Sequence, residues 1–221
     1  MTTADTPMQA YYAARAAEYD RIYQKPERQA DLRAVEAWLP PHFAGKKLLE
    51  VACGTGYWTQ FLAPVASTIV GLDTAPQTMA IAKSRFGMDK VQFVTGDAYA
   101  LQTTPGAGQF DAAFAGFWYS HVPKASQQVF LKGLGAAMRP GSTVVLLDNL
   151  YVAGSSSPIS EADLEGNTYQ ARPLDDGSSH RVLKNFPTEA ELLQSVASLG
   201  QNASVTLWRY YWALKFETVK T

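Results

Sequence analysis

Leu48-Leu-Glu-Val-Ala-Cys-Gly-Thr-Gly56 is the stretch that decides the fold: a short apolar run, with Gly45 ahead of it, delivers the chain into a turn built of small residues. The run over 47–52 reads as a strand, and residues 55–63, closed by Pro64, have helical composition. Small side chains at 52–56 let the backbone turn sharply and come close to a ligand. Outward from this strand-turn-helix, the β-branched run 68–73 predicts a second strand ending on Asp73. A helix is expected over 78–86 and strands over 91–95 and 110–115. A further helix over 125–138 is closed by Arg139-Pro-Gly141, and a fifth strand covers 143–148. Strands separated by about 15 to 25 residues of helix need crossover connections, so the sheet should be mostly parallel and covered on both faces.

The flanks read differently. Residues 8–39 are rich in helix formers, with Tyr12, Ala16, Tyr19 and Tyr23, then Leu32, Val35 and Leu39, at helical spacings; two helices broken near Pro26 are expected. Residues 150–186 carry turn-rich pieces, Gly154-Ser-Ser-Ser-Pro158 and Asp175-Asp-Gly-Ser-Ser179, without periodicity, and read as an inserted loop or lid. Thr188 and Glu191 stand in capping-box spacing at the start of a last helix running to about Gly200. Runs 203–208 and 211–218 are too close for a crossover and suggest an antiparallel pair. The expected organisation is one domain over 1–221: cap helices to residue 40, a core over 45–149, a lid over 150–186, and the last helix and strand pair over 187–221.

Composition narrows the partners. At 221 residues and 47% hydrophobic the chain can bury one sizeable core. A net charge of −1 supplies no overall basic field for a phosphate backbone, so nucleic acid is not expected as substrate. A single cysteine, Cys53, excludes an internal disulfide and any multi-cysteine metal site, so no metal is expected, and it fits a reducing compartment. No basic leader or long apolar run stands in the sequence; the expectation is a cytoplasmic protein without a membrane partner, monomeric or homodimeric.

The chemistry gathers at strand ends. Asp73 lies 17 residues beyond Gly56, where a carboxylate can accept hydrogen bonds from both hydroxyls of a ribose. Gly96-Asp97-Ala98 places another acid at the same sheet edge. Buried carboxylates cost several kcal/mol unless paired, so acids and glycines at three successive strand ends point to a ligand rather than to packing. A dinucleotide fingerprint would read Gly-x-Gly-x-x-Gly. The spacing here is Ala52-x-Gly54-x-Gly56, preceded by Glu50, a charge ill placed beside a pyrophosphate.

With these residues the chain resembles the class I S-adenosylmethionine-dependent methyltransferases. Their first motif, an acid followed by x-Gly-x-Gly-x-Gly, is matched by Glu50 to Gly56 except that Ala52 replaces the first glycine. The resemblance runs from about Tyr11 to Thr218 and takes in Asp73, Gly96-Asp97-Ala98, the segment 110–115 and Arg139-Pro-Gly141. It implies a doubly wound, mostly parallel seven-stranded Rossmann-like sheet with an antiparallel last strand, and S-adenosyl-L-methionine as cofactor. It further implies that Asp73 holds the ribose, Asp97 the adenine amino group with Ala98 beside it, and the turn from Glu50 through Ala52 and Gly54 to Gly56 the methionine moiety. Tyr12-x-x-Arg15-x-x-Glu18-Tyr19-Asp20 looks like the leading helix of the small-molecule branch; there Tyr19 either contacts cofactor or acceptor or packs under the lid.

Transfer from a sulfonium is a direct displacement, so the protein mainly aligns the acceptor and excludes water. The expected acceptor is oxygen, nitrogen or sulfur of a small, aromatic or amine-bearing metabolite. Phe117-Trp118-Tyr119 follow the fourth strand where the methyl should point; Trp118 and Tyr119 are candidate acceptor contacts, with ordinary core as the alternative for at least one of the three. A hydroxyl or thiol acceptor benefits from a general base, and His121 is the best-placed candidate, with shaping of the pocket as its alternative. His180, in the polar lid, either faces the acceptor or is solvated. Asn149 binds acceptor or caps the sheet edge; Cys53 is read as a small residue beneath the cofactor and His42 as surface. Two other readings stay open: an NAD(P)-dependent oxidoreductase, and a non-catalytic S-adenosylmethionine-binding protein.

Overall fold

The computed structural model describes residues 15–219. Five strands, β1 (Lys47–Val51), β2 (Thr68–Asp73), β3 (Val91–Thr95), β4 (Phe110–Gly116) and β5 (Met138–Asn149), run parallel, and β9 (Gly200–Leu207) and β10 (Tyr211–Thr218) complete a seven-stranded sheet. The order is β3-β2-β1-β4-β5-β10-β9, with β10 antiparallel to both its neighbours. The chain steps outward from β1 to β3 and then returns to the other side of β1 for β4. That reversal opens a crevice at the carboxyl ends of β1 and β4, the place where open α/β sheets bind ligands.

Period-two alternation along the strands divides the core. Leu49, Val51, Ala113, Val144, Leu146 and Trp212 pack on one face under the helices α4 (Gln127–Ala136) and α5 (Glu189–Val196), which supply Phe130, Leu134 and Leu192. Leu48, Ile69, Phe114, Val145, Leu147 and Tyr211 face the other way, against α1 (Gln29–Trp38) and α2 (Thr59–Leu62) with Leu32, Val35 and Leu62. Helix α3 (Pro76–Ser84) follows β2. Both faces are covered, which is why β1 reads as an unbroken apolar run. Thr188 and Glu191 form the capping box expected at the start of α5, Thr188 Oγ1 accepting from the Glu191 amide at 3.2 Å.

Three stretches depart from the sequence reading. Residues 150–186 are not an unstructured lid: β6 (Glu161–Ala162), β7 (Thr168–Pro173) and β8 (Ser179–Leu183) form a separate antiparallel meander. Their polar, turn-rich composition hides strands held by backbone pairing, by Val182 and Leu183 buried on β8, and by side-chain anchors such as Lys184 and Asn185. The Arg139-Pro-Gly141 turn lies inside β5, which begins at Met138. The leading segment is a 3-10 run, Ala16–Gln24, followed by a short 3-10 turn, Pro26–Arg28, that leads into α1. Residues 8–14, including Tyr12, lie outside the described residues. No helix among the described residues is long and apolar enough to cross a membrane.

Candidate active site

The turn after β1 is built by backbone conformation. Ala52, Gly54 and Gly56 all have positive φ, 54°, 54° and 73°. Ala52 thus keeps the left-handed geometry at the position where the motif has glycine, at a cost of about 1–2 kcal/mol for its Cβ. Gly54 donates its amide to Asp73 Oδ2 at 2.8 Å, and a Cβ added to Gly54 would meet no protein atom within 4 Å, so this backbone faces open space. Gly56 has a different task. A Cβ there would lie 2.9 Å from Ala82 Cβ, so this glycine lets the turn pack on α3.

A cavity of about 860 Å³, open mouth included, lies over this turn. Of the residues predicted from sequence, it brings together Tyr19, Ala52, Gly54, Asp73, Asp97, Ala98, Trp118 and His121, and the sequence reading missed Leu72, Thr78, Tyr99 and Gly116. Asp73 Oδ1 accepts from the Ala75 amide at 2.8 Å; burial nevertheless pushes its carboxyl above the usual range. The exposed Asp97 accepts from the Tyr99 amide at 2.9 Å. Glu50 and Gly56 do not line the cavity. Glu50 is buried on β1, and burial pushes its carboxyl up to about 8.

A second cavity, about 880 Å³ with its mouth, adjoins the first; Tyr19, Phe117 and His121 line both. Phe117 holds φ 58°, a strained conformation for an aromatic residue that sits where the two cavities meet. His121 is buried, and its Nδ1 lies 2.6 Å from the Leu183 carbonyl oxygen. A carbonyl only accepts, so Nδ1 carries the hydrogen and Nε2 is the basic nitrogen. Burial, then the charges of Lys184 and Arg172, hold the imidazole well below its ordinary pKa, so it is neutral at pH 7. Asn149 lines the second cavity and accepts from Arg28 Nη1 at 2.8 Å.

Beneath His121, Lys184 Nζ bonds Asp148 Oδ1 and Ser120 Oγ, both at 2.5 Å. Burial alone would raise the Asp148 carboxyl, but the Lys184 ammonium bonded to it brings it below the usual range. Burial lowers the Lys184 ammonium to about 8, so the pair is ionised at neutral pH.

Two candidates fall elsewhere. Tyr119 lies in neither cavity; it is core, edge-on to Trp212 at 6.2 Å and tilted on Phe130. His180 projects from β8 with Nε2 3.0 Å from Ser178 Oγ and reaches neither cavity. His42, read as surface, is half-buried against Trp38. Lys25, Arg28, Arg172 and Lys184, which line the second cavity, carry no local sequence signal; only the folding of the leading segment and of residues 150–186 around one cavity assembles them.

The leading segment is tied over the site. Asp20 accepts from Thr55 Oγ1 at 2.6 Å and pairs with Arg85, Arg21 pairs with Asp175 at 2.7 Å, and Tyr23 stacks on Tyr57 at 3.4 Å between ring centroids.

Comparison with known proteins bears on the fold and the family. A family model described as a methyltransferase domain matches residues 48–141. The protein DhpI, solved as a complex with SAH and as a SAM-HEP complex, superposes with TM-scores of 0.79 and 0.78 at 29% and 30% identity. Both superpositions cover 97% of this chain, and they cover 97% and 98% of the DhpI chains. The demethylmenaquinone methyltransferase of Staphylococcus aureus is 35% identical over 108 residues, 47% of this chain and 43% of the relative. An uncharacterized methyltransferase of Synechocystis is 30% identical over 104 residues, 47% of each chain. The match thus spans less than half the length of these two relatives.

Proposed function

Because the chain belongs to the class I S-adenosylmethionine-dependent methyltransferases, we propose that it methylates an oxygen, nitrogen or sulfur atom of a small molecule seated in the second cavity. The observation that carries this reading is the meeting of two cavities at Tyr19, Phe117 and His121, one over the β1 turn and one beside it. S-adenosylmethionine uses the first. The residues there suit it: Asp73 offers a carboxylate to a ribose, Asp97 and Ala98 flank an adenine, and Ala52 and Gly54 present backbone and open space to the methionine end. Bound there, the donor supplies a methyl group on a sulfonium, which passes to the acceptor by direct displacement as S-adenosylhomocysteine leaves.

The chain's own residues align and dry the site. Phe117 and Trp118 wall it with apolar surface, and Tyr19 closes it from the leading segment. His121 takes the acceptor's proton on Nε2 when the acceptor is protonated, its ring oriented by the Leu183 carbonyl. The two cavities draw on the leading segment, the sheet core and the meander, and we read these as one catalytic domain.

Isothermal titration with S-adenosylhomocysteine, followed by transfer of labelled methyl from S-adenosylmethionine to a panel of small molecules, tests the reading. Folded protein that binds no S-adenosylhomocysteine refutes it. Binding without labelled product across oxygen, nitrogen and sulfur acceptors favours a non-catalytic binding protein.

A further inference from the structure

The second cavity concentrates positive charge. Lys25, Arg28, Arg172 and Lys184 line it together with Arg15, and no carboxylate does among the described residues. Two of these cations are removed from water: Arg28 is 6% exposed and Lys184 3%. A buried cation costs several kcal/mol unless opposite charge answers it. For Lys184 the answer is Asp148, which lies behind it rather than in the cavity.

Arg28 is bonded to neutral oxygens: Nε to Ser155 Oγ at 2.8 Å, Nη1 to Asn149 Oδ1 at 2.8 Å and Nη2 to Ser156 Oγ at 3.4 Å. Lys25 donates to the Ser155 carbonyl. Arg172 Nη2 donates to Gln170 Oε1 at 2.8 Å. Glu27 is held one hydroxyl away, accepting from Ser155 Oγ at 2.6 Å on the exposed side. These cations feel one another. Burial, then the Arg28 charge, lowers the Lys25 ammonium; the Glu27 carboxylate opposes this, and Arg172 and Arg15 contribute in the lowering sense.

We propose that this cavity holds the methyl acceptor by a doubly negative oxyanion group, phosphoryl or phosphonyl in kind, gripped by Arg28, Arg172 and Lys25. The inference rests on the methyltransferase reading of the site. Two negative charges are called for because Lys184 already has Asp148, whereas Arg28 and Lys25, side by side on the cavity wall, hydrogen-bond neutral oxygens. Guanidinium forks match a tetrahedral oxyanion by paired hydrogen bonds, and an ammonium serves as a point charge beside them. An amine-bearing acceptor meets like charge here and is disfavoured.

Titration of the whole chain with inorganic phosphate, methylphosphonate and acetate, each with and without saturating S-adenosylhomocysteine, tests the assignment. The expected result is one site per chain that takes phosphate and methylphosphonate about tenfold or more tighter than acetate, whether or not S-adenosylhomocysteine is present. Arg172→Met and Lys25→Met should each weaken phosphate about tenfold and leave S-adenosylhomocysteine affinity within about twofold. Both residues lie nearer the surface than Arg28, and circular dichroism checks their fold.

Absence of phosphate binding, equal affinity for acetate, or unchanged phosphate affinity in both variants overturns the proposal. Displacement of phosphate by S-adenosylhomocysteine overturns it too, by assigning the cations to the donor's carboxylate. Failure of S-adenosylhomocysteine to bind refutes the methyltransferase reading instead, because the phosphate measurement is also made without it.

Discussion

Glu50→Gln should remove a pH-dependent burden on stability. Glu50 is 1% exposed, on the face of β1 that meets α2, and its Oε2 has no hydrogen-bond partner. Burial pushes its carboxyl from 4.5 up to about 8; the Thr59 hydroxyl opposes this and the Asp73 charge adds to it. A carboxyl whose folded pKa lies above its unfolded value binds its proton more tightly in the fold. The stability it contributes is therefore fully present below pH 4.5 and lost progressively as pH rises to about 8. Each pH unit in that window costs about 1.36 kcal/mol, so two units between pH 5.5 and 7.5 cost roughly 3 kcal/mol. Glutamine keeps the shape of the protonated acid and does not titrate. Urea denaturation of both proteins at pH 5.5 and 7.5 should show the variant ahead by about 1.4 kcal/mol at the lower pH and by roughly 3 kcal/mol more at the higher. Parallel pH profiles would refute the reasoning, because they would mean that Glu50 is ionised in the fold.

Three further outcomes are expected. Asp73→Ala should weaken S-adenosylhomocysteine by about tenfold or more in calorimetry, since it removes both a ligand carboxylate and the acceptor that holds the Gly54 amide. His121→Gln should lower kcat by about 10² to 10⁴ for a protonated oxygen or sulfur acceptor while leaving S-adenosylhomocysteine affinity near that of the parent, as read by methyl-transfer assay beside calorimetry. Lys184→Met should destabilise by about 3–5 kcal/mol in urea by stranding Asp148, and adding Asp148→Leu should recover much of that loss.

Legibility in the sequence followed the range of the interactions. Strand β2 and strand β10 have the ends their apolar and aromatic runs predict, because periodicity and turn residues act locally. Asp73, Asp97, Ala52 and Gly54 could be placed because each ends or follows a strand, and parallel strand ends gather at one edge. Gly56 was legible as part of the turn but not as a packing position, since Ala82 lies on α3, beyond the following helix and strand. Tyr119 and Trp118 are adjacent in sequence and diverge in space, one into the core and one into the cavity; the 3-10 turn Tyr119–His121 that separates them has no signature of its own.

The sequence by itself determined the alternating α/β architecture, the β1 turn and its acids, and hence the cofactor, because each depends on residues within one strand-turn-helix unit. Tertiary structure alone decided what lines the second cavity. Lys25 and Arg28 come from the leading segment, Arg172 from β7 and Lys184 from the end of β8, and Asn149 from the end of β5. Nothing in their spacing announces a cavity; long-range packing of the meander and the leading segment over the sheet places these charges in one low-dielectric site, where they repel one another.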